Sequence, residues 1–277
     1  MIFKIIKPRT SSLRHLKLLK KKKSLSINSP LKAKLSFQKP SSGRNNQGII
    51  TVRHKGGGVK KLYRHIDFHR ITQKGIVEKI EYDPNRTSFI GRLYDYEKDS
   101  HFYILASSNL KRGDLIQSGE FVDLKESNSL PLSKIPVGFF IHNISLNKKG
   151  KGKLVRSAGT YAQLIQKDEK YVRVKLPSGE QRLILKDNFA SIGSLSNPNN
   201  FLSVLGKAGR SRWSNCRPCV RGVAMNPVDH PHGGGEGKTS GGRPSVTPWG
   251  KPTKGQPTSK FKKNRSYILL SYRLKNK

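Results

Sequence analysis

Apolar and polar positions change rhythm along this chain, and the change locates the folded part. Gly75–Tyr82 (GIVEKIEY) reads as a strand with Ile76, Ile80 and Tyr82 on one face, closed by a turn at Asp83-Pro84-Asn85. Phe89–Tyr94, Phe102–Ala106 and Leu115–Leu124 follow as short aromatic and aliphatic runs, the last after a turn at Arg112-Gly113-Asp114. A second set starts at Pro136 and runs through Phe139–Leu146, a basic loop at Asn147–Lys153, and Gly159–Gln166. Tyr171–Leu176 alternates cleanly, with Val172, Val174 and Leu176 inward and Arg173 and Lys175 outward. Pro177-Ser178-Gly179 then turns that strand into Gln181–Leu185, a predicted hairpin. Strands spaced roughly 8–12 residues apart with turn signals between them predict a mainly β protein, and two small barrels in tandem is the economical reading. After Leu205 periodicity disappears and Gly, Pro, Lys and Arg dominate.

Charge divides the chain in the same way. The 277 residues carry 55 Lys and Arg against 17 Asp and Glu, a net charge of +38. Residues 1–66 hold 18 basic and no acidic side chains, residues 67–205 hold 21 and 15, and residues 206–277 hold 16 and two. A nearly balanced centre can fold, whereas like-charge ends rich in Gly, Pro and Ser cannot offset their ordering entropy alone. Such ends are expected to order on a polyanion, as basic arms do on nucleic acid. This surplus excludes most ordinary soluble enzymes. The longest apolar candidate, Ile135–Ile144, is broken by Pro136 and Gly138 and falls short of the roughly 18 residues a membrane span needs. Two cysteines, Cys216 and Cys219, make no disulfide framework and fit a reducing compartment. Met1–Lys39 also reads like a mitochondrial presequence, but the Lys20–Lys23 run among Pro8, Pro30 and Pro40 fits an RNA-threading arm better.

Several motifs have competing readings. His232-Gly-Gly-Gly-Glu-Gly-Lys-Thr239 approaches a phosphate-binding P-loop, yet its opening glycine is His232, and neither the strand before nor the helix after is foreseen. What remains is a glycine-rich turn, Gly233, Gly234 and Gly235, able to approach an RNA backbone beside Lys238. Cys216 and Cys219 with His230 and His232 raise a zinc site, but the His-x-His spacing and Pro218 and Pro231 do not match a finger, so no protein metal site is expected. Asp229-His230 is not read as a catalytic pair, because adjacent side chains rarely point at each other. Arg44, Asn45, Asn46, Arg53, His54, Lys55, Gly56, Gly57 and Gly58 mix phosphate binders, base-reading amides and close-approach glycines. Lys60, Lys61 and Arg64 surround Tyr63, a candidate stacking ring. A solvated basic loop is the plain alternative there. Trp213 and Trp249 are as easily packing anchors as stacking platforms.

These residues resemble the universal large-subunit ribosomal protein "L two" family, in its bacterial and organellar form. The matching stretches are SGRNNQGIITVRHKGGGVKKLYRHIDF (Ser42–Phe68), EYDPNR (Glu81–Arg86), LPLSKIPVG (Leu130–Gly138), RSAGTYAQL (Arg156–Leu164), LPSGEQR (Leu176–Arg182), GKAGRSRW (Gly206–Trp213), RGVAMNPVDHPHGGGEG (Arg221–Gly237) and TPWG (Thr247–Gly250). The resemblance implies an OB-type barrel over 42–129, an SH3-like barrel over 130–205, and basic irregular extensions at 1–41 and 206–277. It implies a structural, non-enzymatic protein that binds large-subunit ribosomal RNA near the peptidyl transferase region and takes part in subunit association. The RNA-binding set then extends to Arg86, Arg156, Lys207, Arg210, Arg212, Arg217, Arg221, Asn226 and Lys254. His230 matches the family histidine linked to peptidyl transfer, which RNA itself carries out, so His230 is expected to organise RNA or its bound ions. The implied partners are ribosomal RNA, neighbouring ribosomal proteins and the small subunit, with no membrane and no small-molecule substrate. No cofactor is expected beyond RNA-bound Mg2+ nearby. Cys216 and Cys219 depart from the family pattern, and the apolar run Tyr267–Leu270 is a candidate dock for a neighbouring protein. A nucleic-acid-dependent enzyme and a non-ribosomal single-strand-binding or chromatin-like module are the alternatives. Lys outnumbers Arg nearly two to one and Ala is scarce, which fits an AT-rich, organelle-encoded mitochondrial protein, with a plastid or bacterial cytoplasm behind it.

Overall fold

The computed structural model describes residues 3–20, 25–26, 29–70, 73–148 and 150–256. The Tyr267–Leu270 run and most of the Lys20–Lys23 run lie outside them. Within the described residues the chain forms two compact units, one from 3–39 with 60–207 and one from 40–59 with 208–256. Residues 40–59, nearly all of which fall inside the expected first domain of 42–129, cluster with 208–256. Residues 40–59 lack the alternating apolar residues that would bind them to a sheet, and they pack instead with the chain's other glycine-rich segment.

The first unit is mainly β. Its strands are β1 (Leu35–Phe37), β2 (Leu62–Arg64), β3 (Gln73–Glu81), β4 (Ile90–Asp95), β5 (Ser100–Leu105), β6 (Leu115–Ser118) and β7 (Ser129–Pro131). They continue as β8 (Phe140–His142), β9 (Ile144–Ser145), β10 (Gly152–Leu154), β11 (Ala162–Lys167), β12 (Tyr171–Lys175), β13 (Gln181–Leu185) and β14 (Phe189–Ile192). Among the described residues, ten of these join in the order β13-β12-β11-β8-β14-β7-β6-β3-β4-β5. The pairs are antiparallel except for the single parallel bridge Ser118 to Ser129, where β6 meets β7 and the two barrels join. Each half closes around its own apolar cluster. Val77, Ile80, Leu93, Ile104, Ala106, Leu110 and Ile116 fill the first, and Leu130, Ile141, Leu164, Val172, Val174 and Ile184 belong to the second. No helix among the described residues is long and apolar enough to cross a membrane.

Two local departures from the pattern have physical causes. The pairing of β3 with β4 slips between Val77 and Lys79, so one extra residue on β3 resets the alternation. Val77 and Ile80 consequently point inward, while Ile76 and Tyr82, expected to share a face with Ile80, are exposed. The N-terminal extension, expected to order only on a partner, is stapled to the first barrel. Leu25 bridges Ile80 and packs on the apolar cluster, and the Leu31 amide donates to the Tyr103 hydroxyl at 2.9 Å. That hydroxyl in turn donates to Glu81, and burial pushes the Tyr103 pKa up to about 12.

A polar seam accompanies the junction of the two barrels. Arg70 is buried, and its guanidinium donates to the Ser118 hydroxyl at 3.0 Å and the Ser127 carbonyl at 2.8 Å. Desolvation lowers its pKa to about 10 despite Asp67. His142 is also buried, with Nδ1 2.9 Å from the Gly193 carbonyl, and burial holds its pKa down at about 4. It is a neutral imidazole, so Nδ1 carries the proton to that carbonyl.

Candidate nucleic-acid interface

The second unit is a clasp between two segments about 160 residues apart in sequence. Lys55 forms an antiparallel bridge with Cys216, and the Arg217 amide donates to the His54 carbonyl at 3.0 Å. The Gly56 amide donates to Asn215 and the Val59 amide to Trp213, just past the short helix Ala208–Trp213. Gly57 and Gly58 allow this contact. A Cβ on Gly58 would stand 2.8 Å from that of Asn215, and one on Gly57 would stand 2.8 Å from the Arg212 guanidinium, which donates to the Gly56 carbonyl. The glycines expected to admit RNA thus first admit the chain's own second segment.

Within the first segment, Asn45 folds a tight turn, its side-chain oxygen accepting from the Gln47 and Ile49 amides at 3.0 and 2.9 Å. That amide oxygen is therefore engaged, whereas Arg44, Asn46, Arg53 and Lys55 stay exposed. Arg53 reaches the second segment, with its guanidinium carbon 4.8 Å from the Trp249 ring centroid. Trp249 tops a hairpin closed by the Thr253 amide donating to Ser245, and it remains 69% exposed, so it anchors Arg53 and still offers a ring face.

The glycine–histidine loop is held by its own network of hydrogen bonds. The Asp229 and His230 amides both donate to the Asn226 carbonyl, and the Gly233 amide to the His230 carbonyl. The two imidazoles stack, with centroids 5.2 Å apart and planes 25° from parallel. Their hydrogen bonds assign the tautomers. The Val246 amide donates to Nε2 of His232, so its proton sits on Nδ1 and donates to the Gly241 carbonyl. The His232 amide donates to Nδ1 of His230, which leaves the His230 proton on Nε2 with no acceptor among the described residues. Gly222 lies flush on this ring, since a Cβ there would fall 2.4 to 2.6 Å from three of its atoms. His230 is the clasp's buried polar side chain, and it is held as a fixed hydrogen-bond donor.

Lys238 follows this loop without a helix, and no strand precedes it, so the P-loop context is not formed. Cys216 and Cys219 are free and exposed. Cys219 Sγ lies 3.4 Å from Nε2 of His54, whose Nδ1 is 3.1 Å from the Pro218 carbonyl. The CxxC motif thus meets His54, not the downstream histidines, and no group of three metal-ligating side chains occurs among the described residues. Arg210, Arg212, Arg217, Arg221, Asn226 and Lys254 complete the set in the second segment. Together the described residues of the clasp hold 11 basic side chains against two acids, Asp229 and Glu236.

The remaining sequence-predicted residues, Lys60, Lys61, Arg64, Arg86, Arg156 and Lys207, belong to the barrel unit. Arg86 is ion-paired with Asp83, which ties its charge to the barrel. Arg86 and Arg156 both lie over the Phe68 ring, at 5.6 and 5.0 Å from its centroid. Phe68 was not singled out from the sequence; the only signal was an aromatic residue at the end of a basic stretch.

The chain matches two family models, that of the RNA-binding N-terminal domain of ribosomal proteins L2 over residues 32–118 and that of their C-terminal domain over residues 125–250. It is 55% identical over 272 residues to the large ribosomal subunit protein uL2m of Reclinomonas americana, covering 97% of this chain and 98% of that protein. Proteins named large ribosomal subunit protein uL2 from Gluconacetobacter diazotrophicus and Rhodospirillum centenum are 52% and 50% identical, each covering 97% of this chain and 98% of the relative.

Proposed function

Because the chain belongs to the ribosomal protein L2 family, we infer that its clasp is a surface completed by large-subunit ribosomal RNA. The protein is a structural, RNA-binding component of the large ribosomal subunit. One observation carries the finer reading: the described residues of the clasp combine 11 basic side chains and two acids with no buried apolar side chain among them. Such a unit lacks both charge balance and a core, and a polyanion supplies what it lacks.

In this reading the barrels provide the rigid support while the clasp and the arms neutralise phosphates where RNA helices crowd together. Counterion release drives that step, with a log–log salt slope of roughly 0.7–0.9 per phosphate contacted. The glycine–histidine loop lies near the peptidyl transferase region, where the Nε2–H of His230 donates to RNA or orients an RNA-bound Mg2+ shell. Peptidyl transfer stays with RNA. Neighbouring ribosomal proteins and the small subunit complete the partners. The lysine-rich, alanine-poor composition and the uL2m relative support a mitochondrial ribosome as the assembly it joins.

Co-sedimentation of the tagged chain with large subunits in high salt tests the assignment, and recovery only in the free soluble pool would overturn it. His230→Ala particles should assemble with slowed peptide-bond formation. Normal assembly at an unchanged rate would remove the role given to His230.

A further inference from the structure

The second barrel carries a feature that the basic clasp does not explain. In the register of β8, β11 and β12, Phe140 pairs with Gln163 and Gln163 with Lys175. Directly opposed residues share a face, so these three form one row across about 10 Å of sheet. Their chain neighbours Ile141, Ala162, Leu164 and Val174 are buried, which turns the row outward. Tyr161 packs on Phe140 with ring centroids 4.5 Å apart, and both rings remain about half exposed. Together with Gly159-Thr160 and the turn at Pro177, they line an open pocket of about 500 Å³. That is within the range of ligand pockets.

From this geometry we propose that the cavity receives one unstacked nucleobase of ribosomal RNA, a proposal that rests on the RNA-binding reading above. The aromatic pair offers a stacking face, the Gln163 side-chain oxygen can accept from a base edge while its nitrogen donates to the Gly138 carbonyl at 3.5 Å, and Lys175 stands at the far end of the row for the adjoining phosphate. Charge favours this occupant. Lys175 is the one charged residue of the lining, and it makes no ion pair among the described residues. The acid of the adjoining turn, Glu180, is occupied by Arg182 at 3.0 Å. The cavity of similar size on the first barrel instead mixes Lys74 and Lys98 with Asp95 and Glu97, which does not suit a polyanion. A proline-rich peptide would use the two rings and leave Lys175 without a counter-charge.

The test uses the full chain, transcribed large-subunit ribosomal RNA, and ultraviolet crosslinking of assembled subunits read by mass spectrometry. Tyr161→Ala should weaken RNA binding about fivefold or more with an unchanged salt slope, and Tyr161→Phe should restore it. Lys175→Gln should lower the slope by roughly 0.7–0.9. A nucleotide adduct should appear on Tyr161 or Phe140 of the unmodified chain, a readout independent of any variant's folding. Wild-type affinity in Tyr161→Ala, with no adduct on Phe140 or on 159–175, would overturn the pocket and leave the clasp's RNA binding standing. A peptide crosslinked to Tyr161 would overturn it too, whereas an unmodified chain unable to bind the RNA would overturn the underlying reading first.

Discussion

In the barrel unit, Ile141, Leu164 and Val174 are sealed from water, and the cations that matter structurally have partners, as Arg86 has Asp83 and Arg92 has Glu78. In the clasp, Ile49, Ile50, Val59 and Val220 are each more than half exposed, and shape comes from main-chain hydrogen bonds, stacked imidazoles and glycine contacts. Apolar burial holds the first unit irrespective of any partner. The clasp has exchanged that support for a cationic surface on which Arg44, Arg53 and Lys55 are exposed. The contrast teaches that, on the reading proposed for the clasp, stability rests chiefly on the barrels' apolar side chains, and the clasp's share of RNA affinity should respond to different perturbations.

Leu164→Ala should cut deepest, lowering unfolding free energy by about 2–5 kcal/mol, while Val228→Ala in the clasp should change it by no more than about 0.5. Denaturant unfolding of the two variants checks this, and equal losses would erase the distinction between the units. Next is pH. His142 binds its proton near pH 4 folded and near pH 6.5 unfolded, so the unfolded chain binds more protons between those values. Barrel stability is therefore intact above about pH 6.5 and falls toward pH 4 by up to roughly 3 kcal/mol, a dependence that His142→Gln should flatten.

Gly222→Ala reverses the emphasis. Its Cβ displaces the His230 ring, so RNA binding should lose about 1–3 kcal/mol while barrel unfolding stays within about 0.5. Filter binding beside denaturant melts would show whether the two respond separately. Smallest is Arg53→Gln, which removes one cation and its contact with Trp249. The salt slope should drop by roughly 0.7–0.9 and affinity at fixed salt by about 1 kcal/mol or less.

Those contrasts also explain what the sequence disclosed. The β12–β13 hairpin was legible because Val172, Val174 and Ile184 repeat with a period of two, and the structure pairs Val172 with Ile184 as that rhythm requires. In β3 the same rule mispairs Ile76 with Ile80, since a bulge leaves no mark on composition. Arg44, Arg53 and His230 were found as chemistry, but that 40–59 clasps 208–256 was not foreseen. Glycine, arginine and proline carry no periodicity, so nothing local announces a bridge between Lys55 and Cys216. Cys219 likewise looked toward His230 in the sequence, yet its partner is His54, 165 residues upstream.

The Lys55–Cys216 bridge also sets a clock on the making of the protein. At roughly 5–20 residues per second, about 160 residues separate the synthesis of one half of the clasp from the other, a delay of roughly ten to thirty seconds. Throughout that interval the first barrel can finish folding beside an open, cationic half-clasp surrounded by cellular polyanions. Nascent 40–59 therefore waits without its partner segment until 208–256 has been made, and closure of the clasp ends that wait.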